Sequence, residues 1–168
     1  MIQTPLSLVS SVLSRVREST RAESRGLFHR VTCRAMSTPV NLAFVAPTAA
    51  VARDFPKAAI EWIARFEARY SRFLPESIIG QINTRGAGEW MEIDEETDHL
   101  FSLCDQMHRL TRGVFDPAAL PLLRAWDWKA NPPRIPSESQ ILAAREICGW
   151  EKMRRRDRAI RLPLPGMG

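Results

Sequence analysis

The sequence predicts an α+β domain: an antiparallel or mixed sheet with helices packed on it. Three observations carry this. Apolar residues recur at three and four through residues 54–70 and 94–111, the period of a helix with one buried stripe. Stretches rich in Val, Thr, Phe and Ile alternate at 31–46, 90–93 and 159–162. The strands are separated by hairpin-like turns as well as by helices, which a purely parallel sheet would not show.

The first strand is expected over residues 31–46 (VTCRAMSTPVNLAFVA), entered through an irregular Ala-Met-Ser-Thr-Pro piece. Pro47 and Thr48 end it. A helix starts at Asp54-Phe55-Pro56, because Asp54 can cap and a first-turn proline removes an N–H that had no partner. Its stripe is Ala59, Ile60, Ile63, Phe66 and Tyr70. Pro75 stops regular helix inside SRFLPES, and Ser77 is placed to cap a short turn through Ile78, Ile79 and Ile82. Gly86-Ala87-Gly88 reads as a turn, and Trp90-Met91-Glu92-Ile93 as a short strand.

Asp94 caps the next helix, with Glu95 and Glu96 in the first turn, where the helix dipole favours acid. Leu100, Leu103, Cys104, Met107, Leu110 and Thr111 are its expected buried stripe, and Gly113 its C′ residue. Pro121, Trp126 and Trp128 suggest a short irregular helix packed by aromatics, followed by an extended NPPRIP connection. Ser137 and Gln140 form a capping box for a third helix with stripe Ile141, Ala144 and Ile147 and stop Gly149. Residues 150–164 read as one or two strands, with Arg154-Arg155-Arg156-Asp157-Arg158 at a hairpin tip.

At 168 residues, 45% apolar and 26% charged, the chain suits one soluble domain with a single core. No apolar run approaches the ~20 residues of a membrane span. The net charge of +5 is concentrated at the start. Through residue 34, Arg15, Arg17, Arg21, Arg25, Arg30 and Arg34 stand against Glu18 and Glu23, giving +4 and leaving +1 for the rest. A basic flexible tail is a weaker sign of nucleic-acid binding than a basic face on a folded domain, so no nucleic-acid partner is expected. Cys33, Cys104 and Cys148 form no CxxC or Cys/His cluster, and read as small core residues rather than a zinc site or disulfide framework.

The apolar piece at 6–13 precedes the arginines, the reverse of an export signal. Residues 1–30 are expected to be a disordered leader or a start assigned too early, and 31–168 to form the domain. A cytoplasmic location is favoured over a periplasmic one.

Few constellations carry chemistry. There is no GxGxxG, GxxxxGK[ST] or HExxH. The best candidate is the loop Gly113-Val114-Phe115-Asp116-Pro117. Gly113 allows close backbone approach, Phe115 offers an apolar face, and Asp116 can accept from a ring NH or a hydroxyl. The same residues also fit a helix end followed by an Asp-Pro turn, with Phe115 in the core. Trp126 and Trp128 can stack on a planar ligand or fill a core. Met36 fits a core filler, and the basic run at 154–158 either a solvated turn or a phosphate contact.

Five pieces, in order, resemble the FAD:protein FMN transferase family (ApbE-like, formerly thiamine-biosynthesis lipoproteins). Ala35-Met36-Ser37-Thr38 is similar to the family's Ala-Met-Gly-Thr. Ser71-Arg72-Phe73-Leu74-Pro75-Glu76-Ser77, followed by Asn83, is similar to its Ser-x-aromatic-x-Pro-x-Ser element. Thr111-Arg112-Gly113-Val114-Phe115-Asp116-Pro117 is similar to Thr-x-Gly-x-Phe-Asp-Pro. Pro121-Leu122 with Trp126, and the Pro136-Ser137 helix ending at Gly149, complete the set, which covers about residues 28–168.

The resemblance implies an FAD site lined by Met36, Phe73, Val114, Phe115 and Asp116. It implies magnesium-dependent transfer of FMN from FAD to a Thr or Ser hydroxyl of an acceptor flavoprotein, with release of AMP. Ser37 stands where the family has Gly, Phe73 where Tyr is frequent, and Arg112 where an acidic residue is common. The family's second half supplies the Mg2+ ligands and most phosphate contacts, and the likeness here is to the N-terminal half, an incomplete ApbE-like domain. The chain alone is thus expected to be inactive, with a non-catalytic flavin-binding or interaction module as the alternative. No catalytic residue is assigned. An exposed sheet edge and apolar face are expected.

Overall fold

The structure is a computed structural model, and it describes residues 2–85, 88–127, 130–132 and 134–168. Two compact units are present: Gln3–Gly80, and Met1–Ile2 with Gln81–Gly168. Helices and antiparallel strands occur in both, the α+β class expected.

In the first unit, helix α1 (Leu6–Glu18) leads into strands β1 (Arg21–Arg25), β2 (Phe28–Ala35) and β3 (Thr38–Val45), paired antiparallel in that order. Helix α2 (Ala49–Tyr70) follows. Alternation along β2 sends Val31, Cys33 and Ala35 into a core with Val12 and Val16 of α1 and Ile60, Ile63, Ala64 and Ala68 of α2.

Three expectations are corrected here. The disorder expected within residues 1–30 does not hold for Leu6–Glu18 and Arg21–Arg25, which form α1 and β1. Leu8, Val9, Val12, Leu13 and Val16 fall at helical spacing, so the piece read against an export signal is the apolar stripe of α1. Arg15 and Arg17 flank that stripe and pair with Glu67 at 2.7 Å and Glu61 at 2.8 Å. Residues 31–46 are not one strand but parts of two, joined by a two-residue turn. Met36 and Ser37 have φ of 52° and 59°, Ala35 faces Thr38, and the outward-lying Pro39 sits on the edge strand. Helix α2 begins at Ala49, because the Thr48 hydroxyl accepts from Val51 N–H, while Asp54 pairs with Arg53.

The second unit contains β4 (Met91–Glu92), α4 (Glu95–Leu110), α5 (Leu120–Trp126), α6 (Glu138–Glu146), a 3₁₀ turn at Trp150–Lys152, β5 (Arg154–Arg156) and β6 (Ala159–Arg161). Helix α3 (Ile78–Arg85) runs into it from the first unit. The strands pair antiparallel in the order β4-β6-β5. Asp94 caps α4 and Ser137–Gln140 form the capping box of α6, as expected. The hairpin tip is narrower than the basic run: only Asp157 and Arg158 leave the ladder, both at positive φ.

The stripe expected on α4 is also corrected. Thr97 and Phe101 are buried, whereas Leu103, Met107 and Leu110 are exposed, Leu110 to 78%. The helix carries two apolar edges, and the side packed is the one that meets Trp150 and Arg155. Among the described residues no helix is long and apolar enough to cross a membrane. Gly86, Ala87, Trp128 and Pro133, named in the turn, the tryptophan pair and the extended connection, lie outside the described residues.

Candidate functional site

The loop after α4 is built by the way that helix ends. Thr111 is the C-cap. Arg112, at φ 52°, sends its N–H to the Arg109 carbonyl, and Gly113 sends its N–H to the His108 carbonyl at 2.9 Å. These two bonds are the Schellman pattern, in which the left-handed C′ position falls one residue before Gly113. Arg112 occupies that place and Gly113 follows it, so the expected cap is displaced by one residue.

Side chains of the last turn then fix the loop. The Thr111 hydroxyl donates to Met107 O at 2.8 Å and accepts from Phe115 N–H at 2.9 Å. The Nδ1–H of His108 donates to Phe115 O at 2.8 Å, a carbonyl being only an acceptor. Phe115 is thus held by both of its backbone groups, while the residue stays 41% exposed and Val114 stands 89% exposed. The core-filling alternative for Phe115 does not describe this ring.

Asp116 sits half-buried. Its Oδ1 accepts from Ala118 N–H at 2.8 Å, an Asx turn, and from Trp150 N–H at 3.1 Å. Among the described residues its Oδ2 makes no hydrogen bond, so one oxygen shapes the loop and the other is open to a donor.

Behind this loop lies a network that sequence reasoning missed. Trp150 Nε1–H donates to Asp105 Oδ1 at 2.7 Å. Arg155 reaches Asp105 Oδ2, Asp98 Oδ1 at 2.7 Å and the Ser102 hydroxyl at 3.1 Å. Asp98, Ser102 and Asp105 recur at four and three on α4, a polar helical face legible in the sequence. Its partner, Arg155, lies in the basic run for which the sequence offers a solvated turn or a phosphate contact, not an ion pair within the fold.

Met36 and Phe73 belong to the first unit. Met36 stands at the tip of the β2–β3 turn, 46% exposed, next to the fully buried Ala35. Phe73 is 57% exposed, its ring under the Arg72 guanidinium at 4.4 Å. The Ser-x-aromatic-x-Pro-x-Ser piece is a loop closed on itself. Ser71 ends α2, and its hydroxyl accepts from Phe73 N–H at 3.3 Å. The Ser77 hydroxyl donates to Ser71 O at 2.6 Å and accepts from Gly80 N–H at 2.8 Å, the cap expected of it. A Cβ on Gly80 would fall 2.1 Å from Leu74 O, so this close approach requires glycine. The structure therefore gathers Val114, Phe115 and Asp116 in one loop, and sets Met36 and Phe73 on exposed turns of the other unit.

Burial pushes the thiols of Cys33, Cys104 and Cys148 above the ordinary value of 9.0, which keeps them protonated near neutrality and fits the expected core role. Among the described residues no group of three or more His, Cys, Asp or Glu is gathered that could hold a metal ion. These residues do not fit a Mg2+ site.

Comparison with protein families matches residues 36–168 to the ApbE family. Comparison with curated proteins gives no match. Among solved structures, the ApbE protein of Thermotoga maritima is similar with a TM-score of 0.75 at 25% identity, over 83% of this chain and 46% of that one. The flavin transferase ApbE of Vibrio cholerae has a TM-score of 0.74 at 19% identity, over 88% and 47%. The flavinyl transferase ApbE of Pseudomonas stutzeri in its apo form has a TM-score of 0.67 at 19% identity, over 88% and 46%. The chain thus spans less than half the length of each of these structures.

Proposed function

The chain belongs to the ApbE family, and from that premise we propose that it carries part of the FAD site of an FAD:protein FMN transferase. The observation that carries this reading is that the family match encloses all five flavin candidates, Met36, Phe73, Val114, Phe115 and Asp116. The held loop at 114–116 supports it, since it offers what a flavin ring needs. Val114 and Phe115 supply flat apolar surface, and Asp116 Oδ2 an acceptor for a ring NH or a hydroxyl.

The reaction proposed for the whole enzyme is phosphoryl transfer. The oxygen of an acceptor Thr or Ser bonds to the FMN-side phosphorus of FAD, the diphosphate P–O bond breaks, AMP leaves, and the hydroxyl proton passes to solvent. This chain contributes to binding and orienting the flavin. Since the described residues do not gather a magnesium site, no step through the metal is assigned to this chain, and the 168 residues alone are proposed to be inactive.

The test is transfer itself. FAD, Mg2+ and an acceptor protein are incubated with this chain, and with a longer polypeptide carrying the rest of the family fold. Released AMP and flavin fluorescence on the acceptor are then measured. Transfer by the longer polypeptide alone is expected. Transfer by the short chain would overturn its inactivity, and no transfer by either would overturn the transferase reading.

A further inference from the structure

Four of the six arginines near the start of the chain lie on a folded sheet. Because Val31, Cys33 and Ala35 face the core, the alternate positions of β2 face outward, and their cross-strand partners face outward with them. Arg21 lies opposite Thr32, Glu23 opposite Arg30, and Arg25 opposite Phe28. The outer face of β1 and β2 therefore presents Arg21, Arg25, Arg30 and Arg34 with Glu23 as its single acid.

By register, Arg30 is diagonal to both Arg21 and Arg25, and Arg34 is diagonal to Arg21. The four stems form a zigzag with steps of about 7 Å. All four are exposed, and among the described residues none is ion-paired. The Arg21 guanidinium donates only to the neutral carbonyls of Glu18 and Thr20, at 3.2 and 2.8 Å. Four guanidiniums this close repel one another, and the single carboxylate of Glu23, opposite Arg30, offsets only part of their charge. An anionic partner would relieve that repulsion.

We propose that this face docks an acidic polypeptide segment in extended conformation. Every second residue of an extended chain advances about 6.6 Å, close to the step of the arginine zigzag, so alternate carboxylates can meet successive guanidiniums. A single-stranded nucleic acid would match the charge but needs aromatic platforms for its bases. On this face Phe28 is the one aromatic, at the end of the row beside Val45, and the remaining outward positions are Thr32, Pro39, Asn41 and Ala43.

The experiment titrates the 168-residue chain into a fluorescently labelled hexaglutamate peptide, and into a labelled thymidine dodecanucleotide, following anisotropy at low and at physiological salt. The expected result is salt-sensitive hexaglutamate binding, tighter than nucleotide binding. The triple variant Arg25→Gln, Arg30→Gln, Arg34→Gln is expected to weaken it about tenfold or more. The charge-keeping variant Arg25→Lys, Arg30→Lys, Arg34→Lys should retain most of it. Substituting Arg154, Arg156 and Arg158 by Gln, in the other unit, should leave it unchanged. Circular dichroism shows whether the Gln triple variant is folded, and the Lys variant carries the comparison if it is not. No hexaglutamate binding at low salt, equal binding by the Gln triple variant, or tighter nucleotide binding would overturn the proposal.

Discussion

Asp116 holds Trp150 by its backbone: Oδ1 of the aspartate accepts the Trp150 N–H at 3.1 Å across 34 positions of sequence. The same oxygen accepts Ala118 N–H at 2.8 Å. One carboxylate oxygen thus ties the loop after α4 to the 3₁₀ turn before β5, while the other stays open.

Replacing Asp116 by Ala leaves two part-buried N–H donors without an acceptor, and should lower stability by about 2 kcal/mol. Asp116→Asn retains an acceptor oxygen and should cost less than half as much. Urea denaturation of the three proteins measures both. Equal losses would remove the structural role assigned to Oδ1.

Arg155 is the shared partner of Asp98 and Asp105. Arg155→Met strands two half-buried carboxylates that now share one guanidinium. The expected loss is about 2 kcal/mol, below the about 3–5 kcal/mol of a fully buried pair, because all three side chains keep some solvent. A melting temperature equal to the parent's would show that the network contributes nothing to stability.

Ser37 occupies the left-handed region at φ 59°, where a Cβ is strained. Ser37→Gly relieves that strain but adds entropy to the unfolded chain, so a net gain of at most about 1 kcal/mol is expected. A thermal melt checks the sign, and a lower midpoint would contradict the turn geometry.

Gly80→Ala should do the reverse. Its Cβ would strike the Leu74 carbonyl at 2.1 Å, and backbone cannot yield as a side-chain tip can. A loss of about 1–3 kcal/mol is expected in urea denaturation, with the Ser71–Gly80 loop opened to proteolysis. A variant as stable as the parent would show that the approach is not tight.

What was legible in the sequence was what is decided locally. Asp94, Ser77 and the Ser137–Gln140 box cap the helices they were expected to cap, since a cap depends on residues three apart. The β2–β3 turn was not legible, because Met36-Ser37 has none of the Gly, Asn or Asp that normally marks a two-residue hairpin. Arg112 at C′ misled in the same way beside a glycine that would have suited the place. The face of α4 that packs was not legible either: Phe101 and Leu110 are equally apolar, and only Trp150 and Arg155, distant in sequence, decide between them. Within the candidate site, the loop residues were found as motif, but Trp150 and Asp105, which brace it, act through tertiary contacts that no short spacing announces.

The most direct measurement is calorimetric titration of FAD into this chain, compared with Phe115→Ala and with Asp116→Asn, which keeps an acceptor for the loop while removing the carboxylate charge. The account predicts FAD binding by the parent, weakened about tenfold or more by either substitution, each losing one well-placed contact of a flat ligand. No FAD binding by the parent, or binding indifferent to both substitutions, would contradict it.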